Sequence, residues 1–297
     1  MKKVLRLGQL TLIVGTGIAA TMQLSFTFFA FSYPNSTATR AAAINNKGQV
    51  VGSYDTSSSY GQGYIRSADG SFTAIQLPYS STDSPASGIN SAGDVVGAFY
   101  DPSTNAAQGY LRSASGVYSI ISDPLNPNNS GGNGINDVGQ IVGSYADPSS
   151  NVVHGFIRDA QGLYKTIDDP NESVGPGGVE YSQLNAINNL GQMVGIFSDS
   201  VGEHGFVYKI GGTFTTIDVP NSQAGTTSAS SINNLGEIVG TYNDSFNVSH
   251  GFIRSANGAN YITVDDPAST SGTQVNGIND LRQLAGSYAF SHAFIAR

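Results

Sequence analysis

The amino-acid sequence predicts an all-β protein, a six-bladed β-propeller with four strands in each blade. Three observations support this prediction. One nine-residue phrase recurs six times, and two further phrases follow it in a constant order. The last copy of the repeat lacks its fourth strand, and a matching strand stands at the opposite end of the chain. Four strands in a repeat of about 40–50 residues are typical of a propeller blade.

The first phrase reads Ile-Asn-x-x-Gly-x-φ-φ-Gly, where φ is apolar. An asparagine followed three residues later by glycine is typical of a tight hairpin turn, because glycine accepts a positive φ and the asparagine side chain bonds the turn backbone. The sixth copy departs from this pattern, since Arg282 stands where the other five have glycine. The six asparagines are Asn45, Asn90, Asn136, Asn188, Asn233 and Asn279.

The other two phrases supply the remaining strands. One is glycine-aromatic-aliphatic, as in Gly155-Phe156-Ile157, and the other is an aromatic residue six before a proline, as in Tyr164 and Pro170. Each unit is therefore predicted to hold strand a, ending in Ile-Asn; strand b, the φ-φ-Gly run; strand c, the Gly-aromatic run; and strand d, ending near the proline. Strand a has small residues, which suits six strands meeting at an axis. Mid-strand glycines such as Gly143 predict bulges or close backbone approach.

The order of the phrases predicts how the ring closes. After Asn279 the chain supplies only strands b and c before Arg297. A spare strand d lies near the start, where Phe28 and Pro34 repeat the aromatic-to-proline spacing. The N-terminal strand is therefore predicted to complete the last blade in a 1+3 arrangement, which leaves no open sheet edge. We assign the propeller to residues 25–297.

Residues 1–20 are predicted to be a secretory signal peptide. A basic start precedes an uncharged apolar stretch that ends in small residues, and cleavage is expected near Ala19 or Ala20. An uncleaved anchor is the other interpretation, since no charge occurs from Leu7 to Phe31. The polar residues within that stretch favour cleavage, with no membrane insertion afterwards. The predicted location is secreted, extracellular or periplasmic.

Loop lengths indicate which side of the propeller binds a ligand. The b–c and d–a loops emerge on one side, here named the loop face, and the a–b and c–d turns on the opposite side, the turn face. Connections on the loop face vary in length, and the longest, Asn171 to Gln183, lies between blades three and four. Because variable loops on a rigid frame commonly carry recognition, we predict binding at the loop face. Neutral drift in solvent-exposed loops is the alternative explanation.

Recurring polar residues of the loop face are the candidate binding residues. All four histidines of the sequence occupy one repeat position, which Gln62 and Gln108 fill in the first two blades, so a structural hydrogen bond is favoured over a ring of metal ligands. The aspartates could hold Ca²⁺, but no calcium-loop motif is present and turn formation explains them better; no cofactor is expected. The candidates are Asp147, His154, Asp169, Glu180, Asp199, His204, Asp244 and His250.

Composition excludes several classes of function. The net charge is −8, from 21 acidic and 13 basic residues, with no basic cluster after the first six residues. Nucleic acid is therefore not expected as a partner, and anionic membrane surfaces are poor candidates. The absence of cysteine excludes a disulfide framework and a cysteine nucleophile. No catalytic motif is present, although a paired-carboxylate hydrolase built on Asp169 and Glu180 remains open.

The phrases Gly-Ile-Asn-Asp-x-Gly-Gln-Ile-Val-Gly and His-Ala-Phe resemble the bacterial extracellular family of HAF repeats. The match spans about Phe28 to Arg297, and only the last copy, His292-Ala293-Phe294, carries the tripeptide itself. The resemblance implies a secreted bacterial protein and brings no catalytic residues. We predict a monomeric binding module whose partner is a glycan or a surface protein. An extracellular propeller enzyme (a lyase, lactonase or hydrolase) and a structural cell-envelope component are the alternatives.

Overall fold

Six antiparallel sheets of four strands form the molecule. The computed structural model describes residues 25–297 except 79, 80, 82, 104, 127, 128, 151 and 290. Each sheet is one blade, so the prediction of a six-bladed β-propeller is confirmed. The described residues contain no helix long and apolar enough to span a bilayer. The predicted signal peptide, residues 1–20, lies outside the described residues, and its cleavage stays a prediction.

In blades one to five the strands follow the predicted order a, b, c, d in both sequence and space. Blades one to three consist of β2 (Ala38–Ile44), β3 (Val50–Asp55), β4 (Gln62–Arg66) and β5 (Phe72–Ala74); β6 (Ala86–Ile89), β7 (Val95–Asp101), β8 (Ala106–Arg112) and β9 (Tyr118–Ile121); β10 (Ser130–Ile135), β11 (Ile141–Ala146), β12 (Val153–Arg158) and β13 (Tyr164–Thr166). Blades four and five consist of β14 (Ser182–Ile187), β15 (Gln192–Ser198), β16 (Glu203–Lys209) and β17 (Thr215–Ile217); β18 (Ser228–Ile232), β19 (Ile238–Asn243), β20 (Ser249–Arg254) and β21 (Tyr261–Val264).

The N-terminal strand completes the sixth blade, as predicted. That blade pairs β22 (Thr273–Ile278), β23 (Leu284–Tyr288) and β24 (His292–Ala296) with β1 (Phe28–Phe31). Strand β1 runs antiparallel to β24, with Phe28 opposite Ala296 and Phe31 opposite Ala293. The ring of Phe28 also packs edge-on against that of Phe294, with 5.1 Å between centroids. Hydrogen bonds and aromatic packing therefore join the two ends of the described chain.

The repeated asparagine organises the a–b turn within each blade. In blade one, Asn45 Oδ1 accepts hydrogen bonds from the backbone N–H groups of Lys47 and Gln49, both at 3.0 Å. Its Nδ2 donates to Gln49 Oε1 at 2.9 Å. The side chain thus bonds the turn backbone, as predicted, and the asparagine is only 4% exposed.

The same asparagines also join neighbouring blades, which the sequence reasoning did not foresee. The Nδ2 of each donates to the backbone carbonyl of the equivalent asparagine in the next blade, so that six hydrogen bonds encircle the axis. The last of them, from Asn279 to the carbonyl of Asn45, closes the circle at 2.9 Å. The other five, of 2.9 to 3.4 Å, run from Asn45 to Asn90, Asn90 to Asn136, Asn136 to Asn188, Asn188 to Asn233, and Asn233 to Asn279.

Bulges in strand a and glycines in strand b form a second constant feature. Each a–b pair shifts register once, as between Gly132 and Gly134, so the bulge lies in strand a. The glycine of strand b lies beside it because the backbones approach closely: a Cβ on Gly143 would stand 1.9 Å from the carbonyl oxygen of Gly131. Where the residue skipped by the bulge is asparagine, it can also bridge blades, as Asn133 does by donating to the carbonyl of Leu184 at 2.9 Å.

One completely buried aromatic residue from strand c lies in the core of every blade. It packs over the strand b glycine, so that a Cβ on Gly143 would also stand 2.7 Å from the ring of Phe156. The aromatic residues of strand d, such as Tyr164, lie further out and are only partly buried. The strand c set is Tyr64, Tyr110, Phe156, Phe206, Phe252 and Phe294, each 0% exposed.

Arg282 keeps the turn geometry of the sixth blade despite replacing glycine. Its backbone adopts a positive φ of 55°, a conformation that non-glycine residues rarely adopt. The guanidinium of Arg282 bonds the carboxylate of Glu237 in blade five, with Nη2 2.7 Å from Oε1. This ion pair to a largely buried carboxylate helps to hold a turn that its own residue type disfavours.

We expect the Asn188→Ala substitution to lower the free energy of unfolding by about 2–3 kcal/mol. The substitution removes the acceptor of the turn N–H groups of Leu190 and Gln192. It also removes one of the two donors to the carbonyl of Asn233, which keeps only the N–H of Gly236, and losing such bonds at partly buried groups is costly. Urea denaturation followed by circular dichroism measures the change. Asn260→Ala, at an exposed turn position, serves as the control and should cost less than about 0.5 kcal/mol. Equal losses in the two variants would contradict the role given to the asparagine ring.

Deletion of residues 1–32 should destabilise the propeller and promote concentration-dependent association, because β24 becomes an open edge. A synthetic peptide of residues 25–36 should restore the monomer and its melting temperature by occupying that edge. Analytical ultracentrifugation and thermal melts measure both effects. A peptide carrying Phe28→Ala should restore them less well, since it lacks the contact with Phe294. A truncated chain with the same stability and the same sedimentation behaviour as the parent would show that closure contributes little.

Candidate functional site

The two faces of the propeller carry opposite charge. Because strand directions alternate, strands b and d end at the loop face, and strands a and c end at the turn face. Among the described residues, one base, Arg40, and fifteen of the 21 acidic residues lie at the loop face. The acidic residues are Asp55, Asp83, Asp101, Asp123, Asp147, Asp168, Asp169, Glu172, Glu180, Asp199, Glu203, Asp218, Asp244, Asp265 and Asp266. The loop face therefore has a formal net charge of −14.

The turn face is weakly basic and carries separate exposed aliphatic side chains. Its charged residues are Asp69, Asp94, Asp137, Asp159, Glu237 and Asp280 with Lys47, Arg66, Arg112, Arg158, Lys165, Lys209, Arg254, Arg282 and Arg297. Its exposed aliphatic residues include Leu163, Leu190 and Leu281, each on a different turn. Aliphatic residues exposed singly are ordinary on soluble proteins, so these do not by themselves indicate a site.

A second polar ring narrows the turn-face end of the axis to a small opening. Its members bond one another; for example, Asn234 Nδ2 donates to Asp280 Oδ2 at 2.8 Å, and Ser91 N donates to Asp137 Oδ1 at 2.7 Å. The opening that they line has a volume of about 70 Å³, which suits a few water molecules rather than an organic ligand. The ring consists of Asn46, Ser91, Asp137, Asn189, Asn234 and Asp280.

In blade four the candidate histidine is held between two carboxylates at the loop face. Its Nδ1 lies 2.8 Å from Asp218 Oδ1 and its Nε2 lies 3.2 Å from Asp199 Oδ1. The His204 ring also stacks on Phe197. Burial alone would lower the pKa of His204, but its bonds to Asp218 and Asp199 outweigh burial and raise it. His204 and Asp199 therefore bond each other in a structural arrangement.

Blade five repeats this arrangement. The Nδ1 of His250 lies 3.0 Å from Asp265, and its Nε2 lies 3.4 Å from Asp244 Oδ2. Asp244 also accepts hydrogen bonds from the backbone N–H groups of Phe246 and Val248, and these bonds lower its pKa. In both blades the two carboxylates contact opposite nitrogens of one imidazole, so they point away from each other.

Blade three departs from its neighbours. His154 Nδ1 lies 2.9 Å from Asp168 Oδ2, but the b–c aspartate, Asp147, bonds the backbone and hydroxyl of Ser149. The long d–a loop brings Glu172 to the histidine instead. One potential ligand atom from each of His154, Asp168 and Glu172 lies within 4.8 Å of the other two. No other such group of three histidines and carboxylates occurs among residues that the structure describes.

The carboxylates around the long loop lie in an electrostatically unfavourable environment. Burial, reinforced by the nearby charge of Asp168, raises the pKa of Glu172 to about 7. Its Oε2 is hidden from solvent and has no hydrogen-bond partner. Glu180, at the far end of the loop, adds further negative charge that raises the pKa of Glu172. The backbone carbonyl of Glu180 also accepts a hydrogen bond from the N–H of Val153 at 3.3 Å.

Asp169 stabilises the start of the long loop. It is 1% exposed, and its Oδ1 accepts hydrogen bonds from the backbone and side-chain amides of Asn171, both at 2.9 Å. Burial raises the pKa of Asp169, and its Oδ2 has no hydrogen-bond partner. Its backbone N–H donates to the hydroxyl of Ser182 at 2.9 Å. The residue therefore stabilises the loop, and the hydrogen bonds that it makes do not join it to Glu180 as a catalytic pair.

Sequence reasoning placed Asp147, His154 and Asp169 in the candidate site but left out Asp168 and Glu172. Adjacent residues of an extended strand point in opposite directions. Because of that alternation, Asp168 reaches His154 while the adjacent Asp169 is buried. Glu172 could have been suspected, since it is one of only four glutamates and lies in the longest loop.

Comparisons with known proteins identify the fold and nothing finer. No family model matches the chain, and no curated protein matches it either. Virginiamycin B lyase from Staphylococcus aureus has a TM-score of 0.53 and 13% sequence identity, over 91% of this chain and 99% of the other. AofleA from Arthrobotrys oligospora has a TM-score of 0.51 and 12% identity, over 94% and 88% of the two chains.

A third similar structure is a gluconolactonase from Xanthomonas campestris, with a TM-score of 0.50 and 9% identity over 91% of this chain and 89% of the other. These proteins differ widely in sequence from this chain. At such identity the similarity supports the propeller fold alone.

The His204 arrangement should make stability depend on pH. Asp218 and Asp199 bond this histidine and keep its pKa above the ordinary 6.5 despite its burial. The stabilisation is therefore complete below pH 6.5 and is lost as the pH rises through the higher pKa of the folded state. Denaturant midpoints between pH 5.5 and 8.5 measure this, and His204→Gln should remove that component.

His292→Gln is the matched control for this experiment. His292 occupies the same repeat position but bonds the hydroxyl of Ser291 in place of a carboxylate. This variant should keep the pH dependence of the parent. A parent profile unchanged by His204→Gln would contradict the assignment.

Proposed function

We propose that the chain is a secreted interaction module whose loop face binds a positively charged surface of a partner protein. The observation that carries the proposal is the charge of that face, where fifteen acidic residues accompany one base. Charge concentrated on one side of a rigid frame attracts a partner of opposite charge and orients it during encounter.

Two further features support the loop face over the turn face. The turn face has short connections of nearly constant length and a charge near balance, whereas the loop face varies most in the segment from Asn171 to Gln183. Several loop-face aspartates are also held in place by turn hydrogen bonds, as Asp147 and Asp244 are. A rigid charged surface loses little conformational entropy when it binds.

The sequence left two partner classes open, a glycan and a surface protein, and the proposal chooses the protein. A basic protein surface complements the loop face directly, while acidic glycans are disfavoured by it. The axial opening is too small for a sugar at the turn-face end. Binding of a neutral glycan is therefore not proposed, and the experiment below tests for it as a contradicting result.

The experiment measures binding of a fluorescent lysine-rich peptide to the full chain by anisotropy, across a range of salt concentrations. The triple variant Asp101→Asn, Asp147→Asn and Asp244→Asn removes loop-face charge. Each asparagine keeps an acceptor for the turn N–H that the aspartate bonds. We expect roughly tenfold weaker binding and a shallower salt dependence.

The matched control removes the same charge from the turn face, with Asp69→Asn, Asp94→Asn and Asp159→Asn. Those aspartates also accept backbone hydrogen bonds, and the control should change affinity less than about twofold. Equal effects of the two triple variants, salt-independent binding of a neutral glycan in a parallel array, or turnover of a substrate panel would each overturn the proposal.

A further inference from the structure

We propose that His154, Asp168 and Glu172 bind a divalent transition-metal ion, with Zn²⁺ the best fit, on the loop face between blades three and four. The ligand set is one imidazole nitrogen and two carboxylate oxygens. Zinc is commonly bound by three such protein ligands, with water or another molecule in the remaining position. This site does not depend on the partner proposed above.

The geometry of the three side chains suits one ion. One potential ligand atom from each lies within 4.8 Å of the other two. The 2.9 Å between His154 Nδ1 and Asp168 Oδ2 is a hydrogen-bond distance, whereas two ligands of a tetrahedral ion with bonds of about 2.1 Å lie about 3.4 Å apart, so an ion that replaces the shared proton requires the pair to open by about 0.5 Å. Small side-chain movements of Glu172 would complete the coordination.

The carboxylate oxygen Oε2 of Glu172 is the second observation that points to a cation. It is hidden from solvent and has no hydrogen-bond donor, although it belongs to a group that normally bonds several donors. It also lies beside Asp168, so two like charges meet in a partly buried place. A bound cation would satisfy that oxygen and remove the repulsion between the two carboxylates.

The neighbouring blades show that the blade-three arrangement is distinctive. In blades four and five the carboxylates contact opposite nitrogens of His204 and His250, so no single ion can contact both carboxylates of either set. In blade three the b–c aspartate, Asp147, bonds Ser149, and the inserted loop supplies Glu172 on the same side as Asp168. Blade three thus differs from blades four and five in the way that a metal site requires, because both of its carboxylates lie on the same side of the histidine.

The donor atoms also select the kind of ion. An imidazole nitrogen suits zinc and other late first-row metals, whereas calcium takes six to eight oxygen ligands. With three protein ligands, the ion would keep at least one position for water or for a ligand atom. The acidic loop face would raise the local concentration of cations around it.

The experiment titrates the metal-free full chain with ZnCl₂ by isothermal calorimetry and counts bound zinc after dialysis. We expect close to one Zn²⁺ per chain. His154→Gln, which places the side chain of blades one and two at this position, and Glu172→Gln should each weaken binding at least tenfold. His250→Gln, the equivalent change in blade five, is the control and should leave affinity within about twofold.

A second measurement separates a metal ligand from a purely structural residue. Without metal, Glu172→Gln removes a repulsive charge, so its melting temperature should equal or exceed that of the parent, while zinc should raise the melting temperature of the parent alone. No bound zinc, equal weakening by His250→Gln, or calcium binding as tightly as zinc would overturn the proposal. A lower melting temperature of metal-free Glu172→Gln would assign Glu172 a structural role.

Discussion

The hydrogen-bond ring of six asparagines is the constraint on which the rest of the structure depends. Each side chain shapes its own turn through Oδ1 and binds the next blade through Nδ2, so one residue type holds the strands of a blade and the blades of the ring together. The ring closes from Asn279 to Asn45 at a distance within the range of the other five. Because every a–b turn makes the same bond to the next blade, all six blades are held at the same distance from the axis, where the small residues of strand a meet.

The constant turn face leaves variation to the opposite side. A residue inserted into an a–b turn would separate an asparagine from its neighbour, whereas a residue inserted into a d–a loop moves away from the axis. The inserted loop of blade three shows the result, since it brings Glu172 to His154, whereas the equivalent histidines of blades four and five each contact two aspartates. Acidic residues collect on the same side because strands b and d both end there.

The sequence was sufficient to predict the blade number, the strand order and the closure by β1, because each rests on a period or on a phrase missing from one end and present at the other. It was insufficient for contacts between blades. The pattern identified Asn45 as a turn residue, but its bond to Asn90 depends on two turns meeting in space. The site shows the same limit. The pairing of strands c and d brings Asp168 to His154, as it does the equivalent residues in blades four and five, but only the path of the long loop brings Glu172 to them.

Closure of the last blade by β1 has a consequence for how the chain reaches its final state. Strand β1 bonds β24, so the first described strand to be synthesised has no partner until β24 has also been made. Contacts between residues so distant in sequence form slowly, because a very long loop must close first. The other five blades can pair locally before β1 docks, and until then β1 and β24 each present an unpaired strand edge. The two ends of the described chain therefore become fixed together, in the step that closes the ring.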